Sequence, residues 1–154
     1  LDEQTKERFI PWVVETSAGL TRSVLMVLAD AYDEETVDGD ERTVLRFHPS
    51  IAPITVGVFP LVKKDGLAEM AREIELELRE DFSTFYDQGG AIGRRYRRQD
   101  EIGTPFCLTI DYQTKDDTTV TLRYRDSMEQ IRVPRAALAE TIRKGIREYK
   151  RQDS

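Results

Sequence analysis

The sequence predicts an α/β fold built on a mixed sheet of five strands. Two observations lead to this class: a strand, a helix and a strand follow one another in the middle of the chain, and three short strands then precede a final helix. The first strand is the apolar run at residues 54–59, closed by Pro60, as expected for a strand buried on both faces. A helix joins it to the next strand, so the pair should form a right-handed parallel crossover.

Helical spacing of apolar residues predicts the helix within this crossover. One stripe contains Leu67, Met70, Ala71, Ile74 and Leu78, with Glu and Arg on the other side. The second strand is the stretch "STFYD" at residues 83–87, and a Gly-Gly turn then leads to a short helix predicted over residues 92–101.

The remaining strands are predicted from the stretches "PFCLTIDY", "TVTLRY" and "EQIRVP". The loop "QTKDD" should join the first two as a hairpin. Residues 136–149 then form a closing helix, with Leu138, Ile142, Ile146 and Tyr149 on one side.

The front of the chain has a different pattern. Residues 9–16, "FIPWVVET", predict a strand, and apolar residues at helical spacing after Gly19 predict a helix. The stretch "DEETVDGDER" is acidic and contains glycine, which is typical of a solvated linker. We therefore place a domain boundary between residues 41 and 42, which gives a front segment of residues 1–41 and a domain of residues 42–154.

Charge is divided unevenly between these two parts. The total of 154 residues has a net charge of −6, but residues 1–41 hold eleven acids against three basic residues, a net of −8, which leaves +2 for residues 42–154. A locally basic face of the second part could therefore bind a polyanion, because binding depends on local potential.

Several other classes of function find little support. Cys107 is the only cysteine and His48 the only histidine, so we expect neither a disulfide nor a metal site, and Cys107 is interpreted first as a buried apolar side chain. The longest stretch without Asp, Glu, Lys or Arg is too short to span a bilayer, and no signal peptide pattern is present, so we expect an intracellular, cytoplasmic protein with no membrane partner. The turn "GGAIG" lacks the residues of a phosphate-binding loop.

The segment "GRRYRRQDE" concentrates four arginines within five residues. On a helix Arg94 and Arg98 lie on one side, and the nearby acids can pair with only some of the guanidinium groups. The following strands add aromatic and basic side chains, namely Tyr112, Arg123, Tyr124 and Arg125. Flat rings interleaved with arginines suit unstacked bases and phosphates, so the pattern leaves two alternatives open: a surface for single-stranded RNA or a solvated face.

The stretches "GAIGRRYRRQDEIGTPFCLTIDY", "TVTLRYRDSMEQIRVP" and "VFPLVKKDG" resemble the C-terminal anticodon-binding domain of the dimeric, class II glycyl-tRNA synthetases. The stretch "VVETSAGLTRSVL" is similar to motif 3 at the end of their catalytic domain. The resemblance implies a three-layer α/β/α anticodon-binding domain with a five-stranded mixed sheet, preceded by a strand-helix remnant of the catalytic domain. It also implies residues upstream of Leu1, although processing could produce the same start.

The resemblance implies roles for individual residues. By this resemblance, Arg94, Tyr112 and Arg125 are expected to bind the anticodon. Arg22 is expected to bind ATP, and Glu15 and Ser17 are expected to bind glycine. Thr16 and Thr21 depart from the usual motif 3, where a proline and an acidic residue or glycine are common. Without the resemblance, Glu15, Ser17 and Gly19 would be interpreted as a structural turn into a helix, and Arg95 and Arg97 remain candidates for ion pairs with Asp87, Asp100 or Glu101.

The family is implied to activate glycine with ATP and Mg, to transfer it to glycine tRNA, and to act as a homodimer. We expect residues 1–154 alone to bind tRNA without catalysis and to need no cofactor. An alternative is a non-catalytic accessory protein that binds nucleic acid, similar to the processivity subunit of mitochondrial DNA polymerase.

Overall fold

A computed structural model describes residues 1–37 and 39–150. Asp38, inside the predicted linker, lies outside the described residues, as do residues 151–154 of the predicted second part. In chain order the helices and strands are α1 (Leu20–Ala31), β1 (Tyr32–Val37), β2 (Asp40–Leu45), β3 (Val56–Pro60), α2 (Leu67–Leu78), β4 (Thr84–Tyr86), α3 (Ile92–Ile102), β5 (Phe106–Ile110), α4 (Tyr112–Asp117), β6 (Thr119–Tyr124), β7 (Gln130–Pro134) and α5 (Leu138–Arg147). None of the described helices is long and apolar enough to cross a membrane.

The main sheet has the order β4-β3-β5-β6-β7. β3 pairs in parallel with both β4 and β5, whereas β6 pairs antiparallel with both β5 and β7. This is the mixed five-stranded sheet of the α/β fold that the sequence predicts, and the fold class is confirmed.

Helices cover both faces of this sheet. On one face Val58 and Leu108 pack with Ile74 of α2 and Ile142 of α5 in a fully buried core. The opposite face carries Gly57, because successive strand residues point to alternate sides. A Cβ atom at Gly57 would lie 3.4 Å from Cγ of Gln99 in α3 and 2.7 Å from the Phe59 ring, so this glycine lets α3 pack closely against the sheet.

The prediction of a solvated linker at residues 33–43 is wrong. β1 and β2 form an antiparallel hairpin in which Tyr32 pairs with Leu45 and Val37 with Asp40. Arg42 of this hairpin is buried and donates from Nε to Asp100 of α3 at 3.0 Å. Two acids of this stretch, Asp33 and Glu35, pair with Arg42 and Arg46, and the boundary proposed between residues 41 and 42 falls within β2.

Two local predictions also fail. Residues 9–16 form no strand, because no other described strand pairs with them to satisfy their backbone groups. The loop predicted at "QTKDD" lies wholly within the short helix α4. This helix begins with a capping box: Oδ1 of Asp111 accepts the Thr114 N–H at 3.0 Å, and Oγ1 of Thr114 accepts the Asp111 N–H at 3.1 Å.

Candidate nucleic-acid interface

The carboxyl ends of the three parallel strands meet at one edge of the main sheet. After β4 the chain enters α3, after β3 it forms the loop of residues 61–66, and directly after β5 it enters α4. Ligands of open α/β sheets bind beyond the carboxyl ends of the strands. The topology thus brings two predicted site residues, Arg94 in α3 and Tyr112 in α4, to the same edge, which we call the carboxyl edge.

Of the two arginines of α3 with no hydrogen bond or ion pair in the described part of the chain, Arg97 is only partly exposed and Arg94 is open to a ligand. Arg94 is exposed, and no hydrogen bond or ion pair to its side chain is found within residues 1–37 and 39–150. It lies in the first turn of α3, whose N-cap residue Ala91 provides no side-chain cap. A cation at this positive end of a helix dipole is unfavourable by itself, and an anion bound there would relieve it.

Arg98, one turn further along α3, is already paired. Its Nη2 donates to the Asp87 carboxylate and, at 3.0 Å, to the Gly89 carbonyl. Burial alone would raise the pKa of the Asp87 carboxyl, but the Gly89 N–H and the Arg98 guanidinium hold that pKa below its ordinary value. Arg98 therefore fixes the Gly-Gly turn that leads into α3.

Tyr112 presents a half-exposed ring at the start of α4. Its side chain is 48% exposed, and its hydroxyl donates to Oδ2 of Asp65 at 2.7 Å. This hydrogen bond to a carboxylate is the main reason why the pKa of the Tyr112 hydroxyl is raised. Nζ of Lys115 donates to the Asp65 carbonyl at 2.8 Å, so two side chains of α4 hold the loop that follows β3.

Arg125 lies in a different environment. It is 1% exposed, and its guanidinium donates to the carbonyls of Gly103 and Phe47, both at 2.9 Å, and to the Asp126 carboxylate. Because the guanidinium is buried and donates to acceptors of this chain, the geometry does not support the direct contact with an anticodon base that was expected for Arg125. The physical reason is that the Phe47 and Gly103 carbonyls, which are distant in sequence, surround the guanidinium together with the adjacent Asp126 carboxylate.

Two further arginines of the predicted basic surface are buried in the same way. Arg95 donates to the carbonyl of Pro60 at 2.6 Å and to that of Leu61 at 3.3 Å, and so it ties α3 to the end of β3. Arg123 forms a bidentate ion pair with Asp100, in which Nη1 donates to Oδ1 at 2.8 Å and Nη2 to Oδ2 at 3.0 Å. The ion pairs expected for Arg95 and Arg97 are not found among the described residues: Arg95 is held by backbone carbonyls, and Asp100 pairs with Arg123 and Arg42 instead.

Sequence reasoning missed the contribution of the loop after β3. Lys63, Lys64 and Asp65 are exposed there, and no side-chain partner of either lysine is found in the described part of the chain. Two lysines that follow a buried strand after only two residues were a usable signal, because the carboxyl end of a central parallel strand is a common binding site. The carboxyl edge therefore combines exposed basic side chains with the half-exposed ring of Tyr112 and the exposed carboxylate of Asp65.

The residues predicted to bind ATP and glycine are not assembled into a site. Glu15, Ser17 and Arg22 are all exposed, and their side chains form no hydrogen bond or ion pair within the described residues. Glu15 and Ser17 precede α1, and Arg22 lies in its first turn. Their roles stay predictions.

Comparison with known proteins supports a nucleic-acid role. The family described as "Anticodon binding domain" matches residues 55–145. A protein of Treponema denticola named "Glycine--tRNA ligase" is 66% identical over 150 residues, which cover 94% of this chain and 33% of that protein. A protein of the same name from Borreliella burgdorferi is 59% identical and covers 97% of this chain and 34% of its own length. The chain thus spans about a third of the curated relatives it matches.

Solved structures share the fold. A prolyl-tRNA synthetase from Cryptosporidium parvum superposes with a TM-score of 0.63 over 68% of this chain and 23% of that chain, at 22% sequence identity. At this identity the likeness concerns the arrangement of helices and strands alone. The family to which the sequence motifs point is confirmed by the match at residues 55–145.

Proposed function

This chain belongs to the anticodon-binding domain family, and from that premise we propose that it binds glycine tRNA through the anticodon loop at the carboxyl edge. The observation that carries this proposal is that Arg94, without a partner among the described residues, and the half-exposed Tyr112 both lie at that edge, on α3 and α4. Relatives named "Glycine--tRNA ligase", 59–66% identical to this chain, support glycine tRNA as the partner and favour the ligase over the accessory protein.

The two side chains would act on different parts of the RNA. A base of a single-stranded loop can stack on the Tyr112 ring, which contributes about 1–3 kcal/mol per base in other proteins. Arg94 can donate two parallel hydrogen bonds to a base edge or to a phosphate. Arg125 would then support the site indirectly, because it holds the end of α3 at Gly103 and the chain at Phe47.

The activity of the longer protein is part of the same proposal. A glycine-tRNA ligase joins glycine to ATP, which forms glycyl-adenylate and pyrophosphate, and then transfers glycine to the 3′ end of its tRNA and releases AMP. Arg22 would contact an ATP phosphate, the Glu15 carboxylate would hold the glycine ammonium, and Ser17 would accept or donate one further hydrogen bond. A fixed guanidinium is suited to charge that develops during phosphate chemistry.

The remaining expectations are proposals of the same kind. No group of three or more His, Cys, Asp or Glu side chains in the described residues could hold a metal ion, so we assign no step to Mg on this part of the chain. A homodimer, a cytoplasmic location and the division at residues 41 and 42 rest on the resemblance and the sequence pattern. Residues 1–154 alone are expected to bind tRNA and to form no adenylate.

Competition between RNAs tests where the tRNA is bound. Glycine tRNA carrying a fluorescent label is bound to residues 1–154, and unlabelled anticodon stem-loop or acceptor stem is added while anisotropy is measured. The anticodon stem-loop should displace the tRNA, and the acceptor stem should not. Displacement by the acceptor stem alone would contradict the proposal.

A further inference from the structure

The Asp65 carboxylate is an unexpected side chain on a surface that binds RNA. It lies beside the half-exposed ring of Tyr112, and phosphates repel a negative side chain. Lys63 and Lys64 next to it are both exposed and basic. Charge alone would therefore favour a neutral residue at position 65, so another physical reason must account for the carboxylate.

The geometry gives the two oxygens of this carboxylate different roles. Oδ2 accepts the Tyr112 hydroxyl at 2.7 Å, which fixes the far end of the ring. Oδ1 makes no hydrogen bond within residues 1–37 and 39–150, and Asp65 is exposed. A free acceptor thus lies next to the hydroxyl end of a ring whose surface is open for stacking.

The backbone holds Asp65 in this position. Its φ is 60°, and that of Gly66, the N-cap of α2, is 77°, so both residues adopt the left-handed conformation. Lys115 of α4 binds the Asp65 carbonyl at 2.8 Å. Because aspartate and asparagine tolerate this conformation better than most residues, a substitution by asparagine should keep the loop unchanged.

We propose that Asp65 is a specificity-determining residue of the carboxyl edge, and that its free Oδ1 accepts a hydrogen bond from the exocyclic amino group of the base stacked on Tyr112. A carboxylate pairs with the amino group of cytosine, whereas the carbonyl oxygen at the same position of uracil is an acceptor and is repelled. The inference rests on the proposed function, and it adds selection of a base that carries an amino group. Glycine codons begin with two guanines, so glycine anticodons carry cytosine at their second and third positions.

The experiment compares RNAs that differ only at this amino group. Anticodon stem-loops of glycine tRNA are prepared with cytosine, uracil or N4-dimethylcytosine at the second position, and in a second set at the third position. Binding to the unmutated chain is measured by anisotropy at near-physiological salt. At one of the two positions both replacements should weaken binding by about tenfold or more, since one such contact is worth about 1–3 kcal/mol.

Two variants assign that preference to Asp65. Asp65→Asn keeps an oxygen for the Tyr112 hydroxyl and turns an amide N–H₂ towards the base, so the preference for cytosine over uracil should fall to about threefold or less. Asp116→Asn is the matched control, because Asp116 is an exposed acid of the same helix as Tyr112 with no hydrogen bond to its side chain within the described residues. It should bind all the RNAs slightly more tightly and keep the full preference.

The possible failures are distinguishable. An undiminished preference for cytosine in Asp65→Asn would overturn the inference, as would an equal loss of affinity for all three RNAs, which would mean that Asp65 only orients the ring. If uracil weakens RNA binding by the unmutated chain but N4-dimethylcytosine does not, the amino group is not recognised and the inference also fails. A chain that binds every altered anticodon equally well would instead contradict the proposed function itself.

Discussion

Arg125 has 1% of its surface exposed, whereas Arg94 is exposed and without a partner in the described part of the chain. The resemblance to the synthetase family implied anticodon binding for both residues, and a motif match does not distinguish a buried arginine from an exposed one. The carbonyls that Arg125 binds belong to Phe47 and Gly103, distant in sequence from it. Burial of a charge among such acceptors is decided by tertiary structure, and sequence alone offered no signal for it.

Replacement of Arg125 should therefore affect stability first. Arg125→Met removes a guanidinium that pairs with Asp126 and leaves two buried carbonyls without a donor, which typically costs about 3–5 kcal/mol. Arg94→Met should change the free energy of unfolding by no more than about 0.5 kcal/mol, as is usual for exposed residues. Urea denaturation of the two variants measures the difference, and equal stabilities would show that Arg125 is not structural.

Asp126 links this stability to pH. Burial alone would raise the pKa of its carboxyl, but the hydrogen bond and charge of Arg125 lower it below the ordinary value of 3.8. A lowered pKa stabilises the folded state above pH 3.8, and this contribution is lost as the pH falls below that value. Asp126→Asn should thus be less stable than the unmutated chain at pH 7, and the difference should narrow below about pH 4. A difference that stays constant from pH 7 to pH 3 would contradict this account.

The hairpin of β1 and β2 is the element that sequence analysis described least well. Its acids and glycine indicate a solvated linker, yet Arg42 and Arg46 turn inward and take their partners from Glu35, Asp33 and Asp100. The apolar runs of β3 and β5 and the apolar stripe of α2 were predicted correctly, because apolar side chains at regular spacing predict burial from the local sequence. Strand pairing held by long-range ion pairs has no such local pattern.

Attachment of this hairpin to α3 should depend on Arg42. In Arg42→Met the Asp100 carboxylate keeps Arg123 but loses one donor, and the hairpin loses its buried anchor. Hydrogen exchange should therefore become faster in residues 32–45 and at the end of α3, while residues 56–60 stay protected. Arg135→Met serves as the control, because the ion-pair partners of Arg135 among the described residues are Glu77 and Glu73 of α2 and none belongs to the hairpin. Unchanged exchange in the hairpin of Arg42→Met would contradict its role as an anchor.

At the scale of the whole molecule, the main sheet and the first 31 residues of the chain differ in packing. The main sheet has a continuous buried core, whereas the large apolar side chains before and along α1 are exposed, with Trp12 at 101% and Ile10 at 94%. The strand predicted at residues 9–16 needs a partner strand, and the described chain supplies none. The sequence pattern of that segment was therefore insufficient, because a strand is defined by its neighbour.

Trp12 reports on this segment directly, because it is the only tryptophan of the chain. In the folded chain its fluorescence should have the emission of a solvent-exposed indole and should be quenched by acrylamide almost as strongly as in urea. The signal should change little through the cooperative unfolding of the sheet, which circular dichroism can follow in parallel. A blue-shifted, protected Trp12 would show that residues 9–16 pack on the rest of the molecule.

The central claim is that the carboxyl edge reads the anticodon, and Arg94 tests it most directly. Affinities for glycine tRNA and for the same tRNA with altered second and third anticodon bases are measured by anisotropy for the unmutated chain and for Arg94→Ala. Arg147→Ala is the matched control, since Arg147 lies on α5 in the other helical layer and pairs only with Glu140 among the described residues. We expect the unmutated chain and the control to prefer glycine tRNA, and Arg94→Ala to lose about tenfold or more of affinity for it with little change for the altered tRNA. Equal binding of the two tRNAs by the unmutated chain, or an equal loss for both in Arg94→Ala, would contradict the claim.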